Sequence, residues 1–454
     1  MKISLKQVTV SPTSKIKDVL EKINKNGLNG VFVTNKRNTL LGVITDSDIR
    51  RGLLKSESIL SKNAYSIAKK NYFSIPFSRR KFKKKILLAS NKILIPIVKK
   101  NKLIDYVHTS ELYKEEEKEK KVLVIGGLGY IGSILVKDLL DKKISVNILD
   151  KNYYGCYFDK KTLRNSNLKI FYGDCKNKLS LKASLQGCTD VIHLGEIVGD
   201  PAVNINETFS IKNNFENTVF VVSECIKHKI DKFIFASSCS VYGESNSKCN
   251  EESKLNPVSL YAKCKIECER SILSFKSDDF CPVILRLSTV YGDSPRKRFD
   301  LVANRFTLMA LKKIKIQLYG ADSWRPFISV NDVSKVFINT LTSKNHLVKN
   351  QIFNVGGDKE NYRIIDIIKN LKKITPTKYE ITKQVGDKRN YRVSFKKIKK
   401  ILNFELQDNL ISTIKKMLNK YKKIYINEKN INYYNDKKIL KILSKKNNSK
   451  RKFN

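Results

Sequence analysis

The 454-residue chain has no uninterrupted apolar stretch of about 20 residues, so no membrane-spanning helix is expected. Its N-terminus, MKISLKQVTV, lacks the apolar core of a signal peptide, and the cytoplasm is the expected compartment. The nine cysteines, an odd number, include no CxxC pair, which argues against a disulfide framework and fits a reducing compartment. Acid is scarce: 43 Asp and Glu face 89 Lys and Arg, for a formal charge of +46. Such an excess raises the question of nucleic acid. The lysines, however, are spread along the whole chain beside abundant Asn and Ile, as a compositional bias spreads them. No specific nucleic-acid site is expected, and no metal site. The one dense cluster, Lys437 to Asn454, holds eight basic residues and no acid. It reads as part of a disordered basic tail, 428–454, with RNA or anionic lipid as conceivable contacts.

The length allows two or three domains. Residues 1–115 contain an internal repeat. "GVFVTNKRNTLLGVITDSDI" closes a first unit, and "KILIPIVKKNKLIDYVHTSEL" closes a second. Each reads as strand, turn, strand and helix start, and two such small units must share a core. The charged run "ELYKEEEKEKK", Glu111 to Lys121, has no apolar periodicity and marks a boundary. Beyond it, strand and helix patterns alternate to about residue 345, which predicts a doubly wound parallel sheet covered on both faces. A smaller α/β substrate lobe is expected over 346–427.

"KKVLVIGGLGYIGSILVKDLL" reads as a buried strand, a glycine turn and a helix. Gly126-x-x-Gly129-x-x-Gly132 permits a tight turn and close approach of a pyrophosphate to the helix N-terminus. The next strand ends at Asp150, where a carboxylate accepts from the adenosine ribose hydroxyls and repels a 2′-phosphate, so NAD is expected over NADP. The alternative is a solvated acid at a strand end, and Lys151 next door weakens the exclusion of NADP. Asp174 closes a third strand, within reach of adenine.

The strand "KFIFASSCSVYG" carries Ser238 near its C-terminal end, and Tyr261 and Lys265 follow one helical turn apart. A free phenol is a poor base at neutral pH. A neighbouring ammonium and a cationic ring favour the phenolate, and a serine hydroxyl can share the proton. The three together form a device for deprotonating an alcohol while hydride leaves its carbon. On spacing alone, an amphipathic helix with a surface Tyr and Lys explains the pair equally well.

With strand, serine, helix and glycine turn in this order, residues 121–425 resemble the extended short-chain dehydrogenase/reductase family, the NAD-dependent sugar-nucleotide epimerases and dehydratases. The resemblance implies a catalytic triad of Ser238, Tyr261 and Lys265. It places Gly126, Gly129, Tyr130, Ile131, Gly132, Asp150, Asp174, Cys175, Leu194, Asn213 and Ser288 around NAD, with Tyr261 and Lys265. Asn304, Arg325 and Arg389 become candidates for a nucleotide-sugar substrate. The chain departs from the family pattern at Glu196, where a small residue is usual, and at Thr289 and Ser329. Cys239 and Ser240 stand where the 4,6-dehydratases carry Asp-Glu as acid and base. The implied activity is epimerisation through a transient keto sugar. A net nucleotide-sugar oxidoreductase and an idle NAD-sensing protein are the alternatives.

The front repeat is similar to a tandem pair of CBS modules. Gly42, Thr45 and Asp48 match that family's G-x-x-T-x-x-D segment, whereas the second unit has His108 and Glu111 in place of Thr and Asp. The resemblance implies at most one adenine-nucleotide site, through Thr45 and Asp48. A purely structural or dimerising pair is the alternative, and a homodimer is expected.

Overall fold

Seven apolar runs become strands: β1 (Lys121–Ile125), β2 (Ser145–Asp150), β3 (Leu168–Tyr172), β4 (Asp190–His193), β5 (Lys232–Ser238), β6 (Cys281–Leu287) and β7 (Gln351–Val355). Their order across one sheet is β7-β6-β5-β4-β1-β2-β3, with every adjacent pair parallel. This is the Rossmann-type doubly wound order, extended by one strand. Alternation sorts the side chains: Val122 and Val124 enter one buried cluster, Leu123 and Ile125 another. Burial on both faces explains why the inner strands read as continuous apolar runs, whereas the edge strand β3 leaves Lys169 and Tyr172 exposed. The strand order reverses between β1 and β4, and such a reversal opens a crevice at the C-terminal edge of the sheet.

The computed structural model describes residues 3–54, 56–82, 86, 90, 92–109, 120–275, 279–382 and 389–451. The chain divides into two compact units, Met1–Lys118 and Glu119–Asn454. In the first, strands Thr9–Val10, Gly30–Thr34 and Leu40–Thr45 form one three-stranded sheet. Ile75–Pro76, Leu94–Lys99 and Lys102–His108 form another. Each sheet has a parallel pair followed by an antiparallel one, so the repeat in sequence is a repeat in topology. Phe32 and Val43 of the first repeat share a core with Leu94, Leu103 and Tyr106 of the second. Glu111 and most of the charged connector lie outside the described residues.

Two expectations need correction. The sheet core runs past residue 345, because the apolar segment QIFNV pairs with β6 as the last strand. The smaller lobe is accordingly drawn from two stretches. Strands Thr289–Tyr291 and Trp324–Ser329 join Asn361–Arg363, and helices Val302–Leu311, Ile364–Lys372 and Leu410–Lys422 supply a core of their own. The described part of the basic tail is not a disordered end: Asn435–Arg451 is a helix. Its lysines conceal an apolar stripe at helical spacing, Ile439, Ile442 and Leu443, which meets Ile197, Ala202 and Val203.

Candidate active site

The glycine turn links β1 to helix α1 (Gly132–Asp141). Gly126 has φ +82, and a Cβ there would lie 2.7 Å from Gly195. A Cβ on Gly132 would lie 2.5 Å from the Gly126 carbonyl oxygen. Only glycine closes this turn against the exit of β4.

Helix α2 (Leu260–Ser274) is fixed at three levels. Ser259 caps it, its Oγ accepting from the Ala262 amide at 3.3 Å. One turn in, the Lys265 ammonium donates to the carbonyl of Ala236 on β5. A further turn on, Glu269 accepts from Ser237 Oγ on β5 and forms a buried pair with Arg286 on β6, Nη2 to Oε2 2.7 Å. The helix carrying Tyr261 and Lys265 is thereby registered against the strand carrying Ser238.

These elements enclose a cavity of about 290 Å³ at the C-terminal edge of the sheet. Its wall brings together Gly126, Gly129, Tyr130, Ile131, Gly132, Asp150, Cys175, Leu194, Asn213, Ser238, Tyr261, Lys265, Ser288 and Arg389. Three expected contacts are not on this wall. Asp174 instead pairs with Lys151 at 3.0 Å, and the same ammonium donates to Asn213 Oδ1 at 2.6 Å. Asn304 is buried as a bracket, donating to Tyr130 Oη at 3.2 Å and accepting from the Gly292 amide at 2.9 Å. Arg325 is buried and donates to the Trp324 carbonyl at 2.7 Å. Asp150 accepts from the Leu128 amide at 3.1 Å and the Asn152 amide at 2.7 Å, which fixes its carboxylate at the cavity edge.

Sequence reasoning missed a cationic corner. The Arg296 guanidinium lies 4.1 Å from the Tyr154 ring centroid, and its Nη2 donates to Asn435 Oδ1 at 2.6 Å. Asn435 belongs to the C-terminal helix and also donates to the Val198 carbonyl at 2.9 Å. Arg298 forks onto Asp300 at 3.1 and 2.5 Å. Arg296, Arg298, Tyr154 and Asn435 all line the cavity. The run DSPRKRFD, directly after VYG, was the available signal: a cation cluster shortly after β6 leaves the sheet edge.

The electrostatics differ from expectation in one respect. Burial raises the Tyr261 hydroxyl above its ordinary pKa; Lys265 opposes that shift, while Glu196 and Asp200 reinforce it. Lys265 does not favour the phenolate freely, because Glu196 Oε2 accepts from its ammonium. Burial alone would depress Lys265, and Glu196 more than restores it. His193, at the end of β4, is pulled down to about 3 by burial and by Lys265, so it is neutral at physiological pH.

Three residues on the wall have a buried side-chain atom with no hydrogen-bond partner among the described residues: the acceptor Glu196 Oε1, the donor Arg296 Nε and the Ser240 hydroxyl, which can do either. Buried polar atoms left so are costly unless a ligand completes them. Together with the glycine cradle and Asp150, they fit a dinucleotide, which offers hydroxyl donors and phosphate acceptors. Fold and site thus define a Rossmann-type dinucleotide enzyme with a Ser, Tyr, Lys cavity.

Comparison with known proteins narrows this. The model of the NAD dependent epimerase/dehydratase family matches residues 122–356, and that of the CBS domain matches residues 3–55. The chain belongs to the NAD-dependent epimerase/dehydratase family, and its cofactor is NAD. It is 30% identical over 309 residues to an uncharacterised UDP-glucose epimerase, YtcB, of Bacillus subtilis, covering 65% of this chain and 96% of that one. A dTDP-D-glucose 4,6-dehydratase of Dictyostelium discoideum is 27% identical over 271 residues, covering 53% of this chain and 59% of that one. The crystal structure of UDP-glucuronic acid 4-epimerase from Bacillus cereus, in complex with UDP-glucuronic acid and NAD, superposes with a TM-score of 0.60 at 27% identity, covering 67% of this chain and all of that one.

Proposed function

We propose that the cavity epimerises a nucleotide-linked sugar. The observation that carries this is the meeting of Ser238, Tyr261 and Lys265 on one wall beside the glycine turn. In this reading Tyr261 takes the proton of a sugar hydroxyl, and Ser238 Oγ, which already accepts from the Ser240 amide at 3.2 Å, is held in place to share it. Lys265 holds the ribose side of the cofactor and stabilises the phenolate. Bound NAD supplies a reversible hydride acceptor, so that a transient keto sugar can be reduced on its other face. Gly126 to Gly132, Asp150, Cys175, Leu194, Asn213 and Ser288 would hold the dinucleotide, and Arg389 on the wall would meet the substrate diphosphate.

Relatives include both epimerases and a dehydratase, and the residues after Ser238 favour the former. Water loss needs an acid and a base at that place. Cys239 is buried, its thiol pushed far up by burial and donating to the Arg286 carbonyl at 3.2 Å, and Ser240 lines the cavity with an alcohol, far too weak an acid to replace a carboxyl. Neither is a proton shuttle.

The front unit, in the same reading, takes at most one adenine nucleotide, through Thr45 and Asp48, and serves assembly or modulation of a homodimer. The test of the main reading is mass spectrometry of nucleotides retained by the purified protein, followed by turnover of the identified sugar nucleotide. Product of the same mass, with NAD unchanged, is the expected result. Net NADH would replace epimerase by dehydrogenase, and loss of water would replace it by dehydratase.

A further inference from the structure

Glu196 stands where the resembled family usually has a small residue, and the proposed chemistry gives it no task. The structure gives it a position. It follows Gly195 at the exit of β4, and its Oε2 forms a buried ion pair with Lys265. The pair's side chains are only 3% and 2% exposed, so water screens little of this interaction. Oε1 of the same carboxylate has no partner among the described residues, and Glu196 lines the cavity. The Lys265 ammonium has three protons. Two go to Ala236 O and Glu196 Oε2, which leaves a third without a hydrogen-bond acceptor among the described residues; the ammonium also lies 4.5 Å from the Phe235 ring centroid.

We propose that Glu196 is a positioning residue for the Tyr261–Lys265 pair: it fixes the ammonium through Oε2, offsets part of its charge at the Tyr261 hydroxyl, and offers Oε1 to a cofactor ribose hydroxyl. This rests on the reading of Tyr261 and Lys265 given above. Lys265 lies 5.6 Å from the Tyr261 ring centroid, close enough for an uncompensated charge to act strongly there. Other charges that bear on Tyr261 are Asp200, from the segment after β4, and Arg298, from the segment after Thr289–Tyr291. Asp200 pairs with Arg389 at 3.2 Å and Arg298 with Asp300 at 2.5 Å, so both are already offset. On the helix itself Cys264 and Cys268 are buried neutral thiols, and His193 behind Lys265 is neutral. Glu196 is therefore the anion whose removal most changes the charge that Tyr261 experiences. In the free enzyme burial keeps Tyr261 a phenol, and Glu196 adds to that shift. A ribose hydroxyl given to Oε1 would let Lys265 and Glu196 grip the cofactor as donor and acceptor.

The experiment compares the full chain with Glu196→Gln, Glu196→Ala and Glu196→Asp. Two readouts need no turnover: near-ultraviolet titration of tyrosinate, with the Tyr261→Phe signal subtracted, and calorimetric NAD affinity. With the carboxylate gone, Tyr261 should ionise about one pH unit lower or more, the scale of a nearby opposite charge. The acid limb of the turnover profile should move the same way. NAD should bind several-fold more weakly to Glu196→Ala, and Glu196→Asp should restore both readouts in part. Tyr261 titrating as in the unmutated chain in both neutral variants overturns the proposal. If a lone buried ammonium unfolds them, the double variant Glu196→Gln with Lys265→Gln buries no charge. Tyr261 should then titrate near its unmutated position, because the two charges largely offset each other; a rise of about one pH unit or more would show that Lys265 was acting uncompensated and would overturn it. Retained turnover in Tyr261→Phe would instead sink the catalytic reading, while leaving the Glu196 titration to stand or fall separately.

Discussion

Two acid-bearing corners of this protein differ in what they leave unfinished. In the front unit, Thr45 and Asp48 complete each other. Thr45 caps helix Asp46–Leu53, its amide and its Oγ1 both donating to Asp48 Oδ2, at 3.0 and 2.6 Å. Asp48 Oδ1 is taken by Arg51 at 2.6 Å and Lys69 at 2.7 Å. In the large unit, Glu196 and Arg296 are buried on a cavity wall, each with one atom unsatisfied among the described residues. The first arrangement is finished by its own fold, and a helix cap explains it fully. The second is stable at low cost only when something else enters. A motif match at Thr45 and Asp48 therefore says less about ligands than the unfinished pair that no motif names.

The largest effect expected from attacking the unfinished corner is chemical. Tyr261→Phe should leave NAD bound yet lower turnover by about 10²-fold or more, the scale of a lost general acid/base. Steady-state kinetics beside an NAD titration checks it, and near-normal turnover refutes the role. Next in size is Ile439→Ala on the C-terminal helix. Emptying a fully buried isoleucine site costs about 2–5 kcal/mol. Because Asn435 on the same helix holds Arg296, NAD affinity should fall with the melting temperature. A melting temperature unaffected by this change would return the tail to the status of a loose end. Smaller again is cofactor choice. The Asp150 carboxylate is fixed at the cavity edge by two amides, so NAD should bind more tightly than NADP, with Asp150→Ala narrowing the gap. Equal affinities in the unmutated chain would mean that Lys151 or Arg296 governs the 2′ position.

Much of this architecture could be read from the residues, and the failures have physical causes. The inner strands of the large sheet announce themselves because burial on both faces demands continuous apolar runs. The glycines announce themselves because no side chain fits between Gly126 and Gly195. QIFNV was misassigned because a buried parallel strand has no alternation to mark which sheet it joins. The tail was misread because three apolar residues in a run of lysines weigh little in composition but align on one helix face. Asn304 and Arg325 fell on the expected segments yet serve the fold, since a motif gives a position in the chain and not the direction of a side chain. Glu196 was visible only as a misfit. Its partner lies 69 residues away, a separation that periodicity cannot bridge.

The smallest expected effect concerns the finished corner. Against the cost of partial burial, the hydrogen bonds from Lys69, Thr45 and Arg51 lower Asp48 from 3.8 to about 2. A carboxylate depressed on folding contributes stability above its unfolded pKa, and that contribution is lost as pH falls through the folded value. Asp48→Asn should therefore lower the melting temperature modestly at neutral pH, and the deficit should close between about pH 4 and pH 2. Calorimetric titration with ATP, ADP and AMP sharpens the contrast. If an adenine nucleotide binds through Thr45 and Asp48, it must displace contacts that the fold has already completed, so affinity should be weak and limited to one site. Asp48→Asn should then alter nucleotide binding as well as acid stability. Two equivalent sites would show that the second repeat, despite His108, builds a site of its own. An acid-stability effect with no nucleotide binding would make the Thr45–Asp48 pair a helix cap and nothing more.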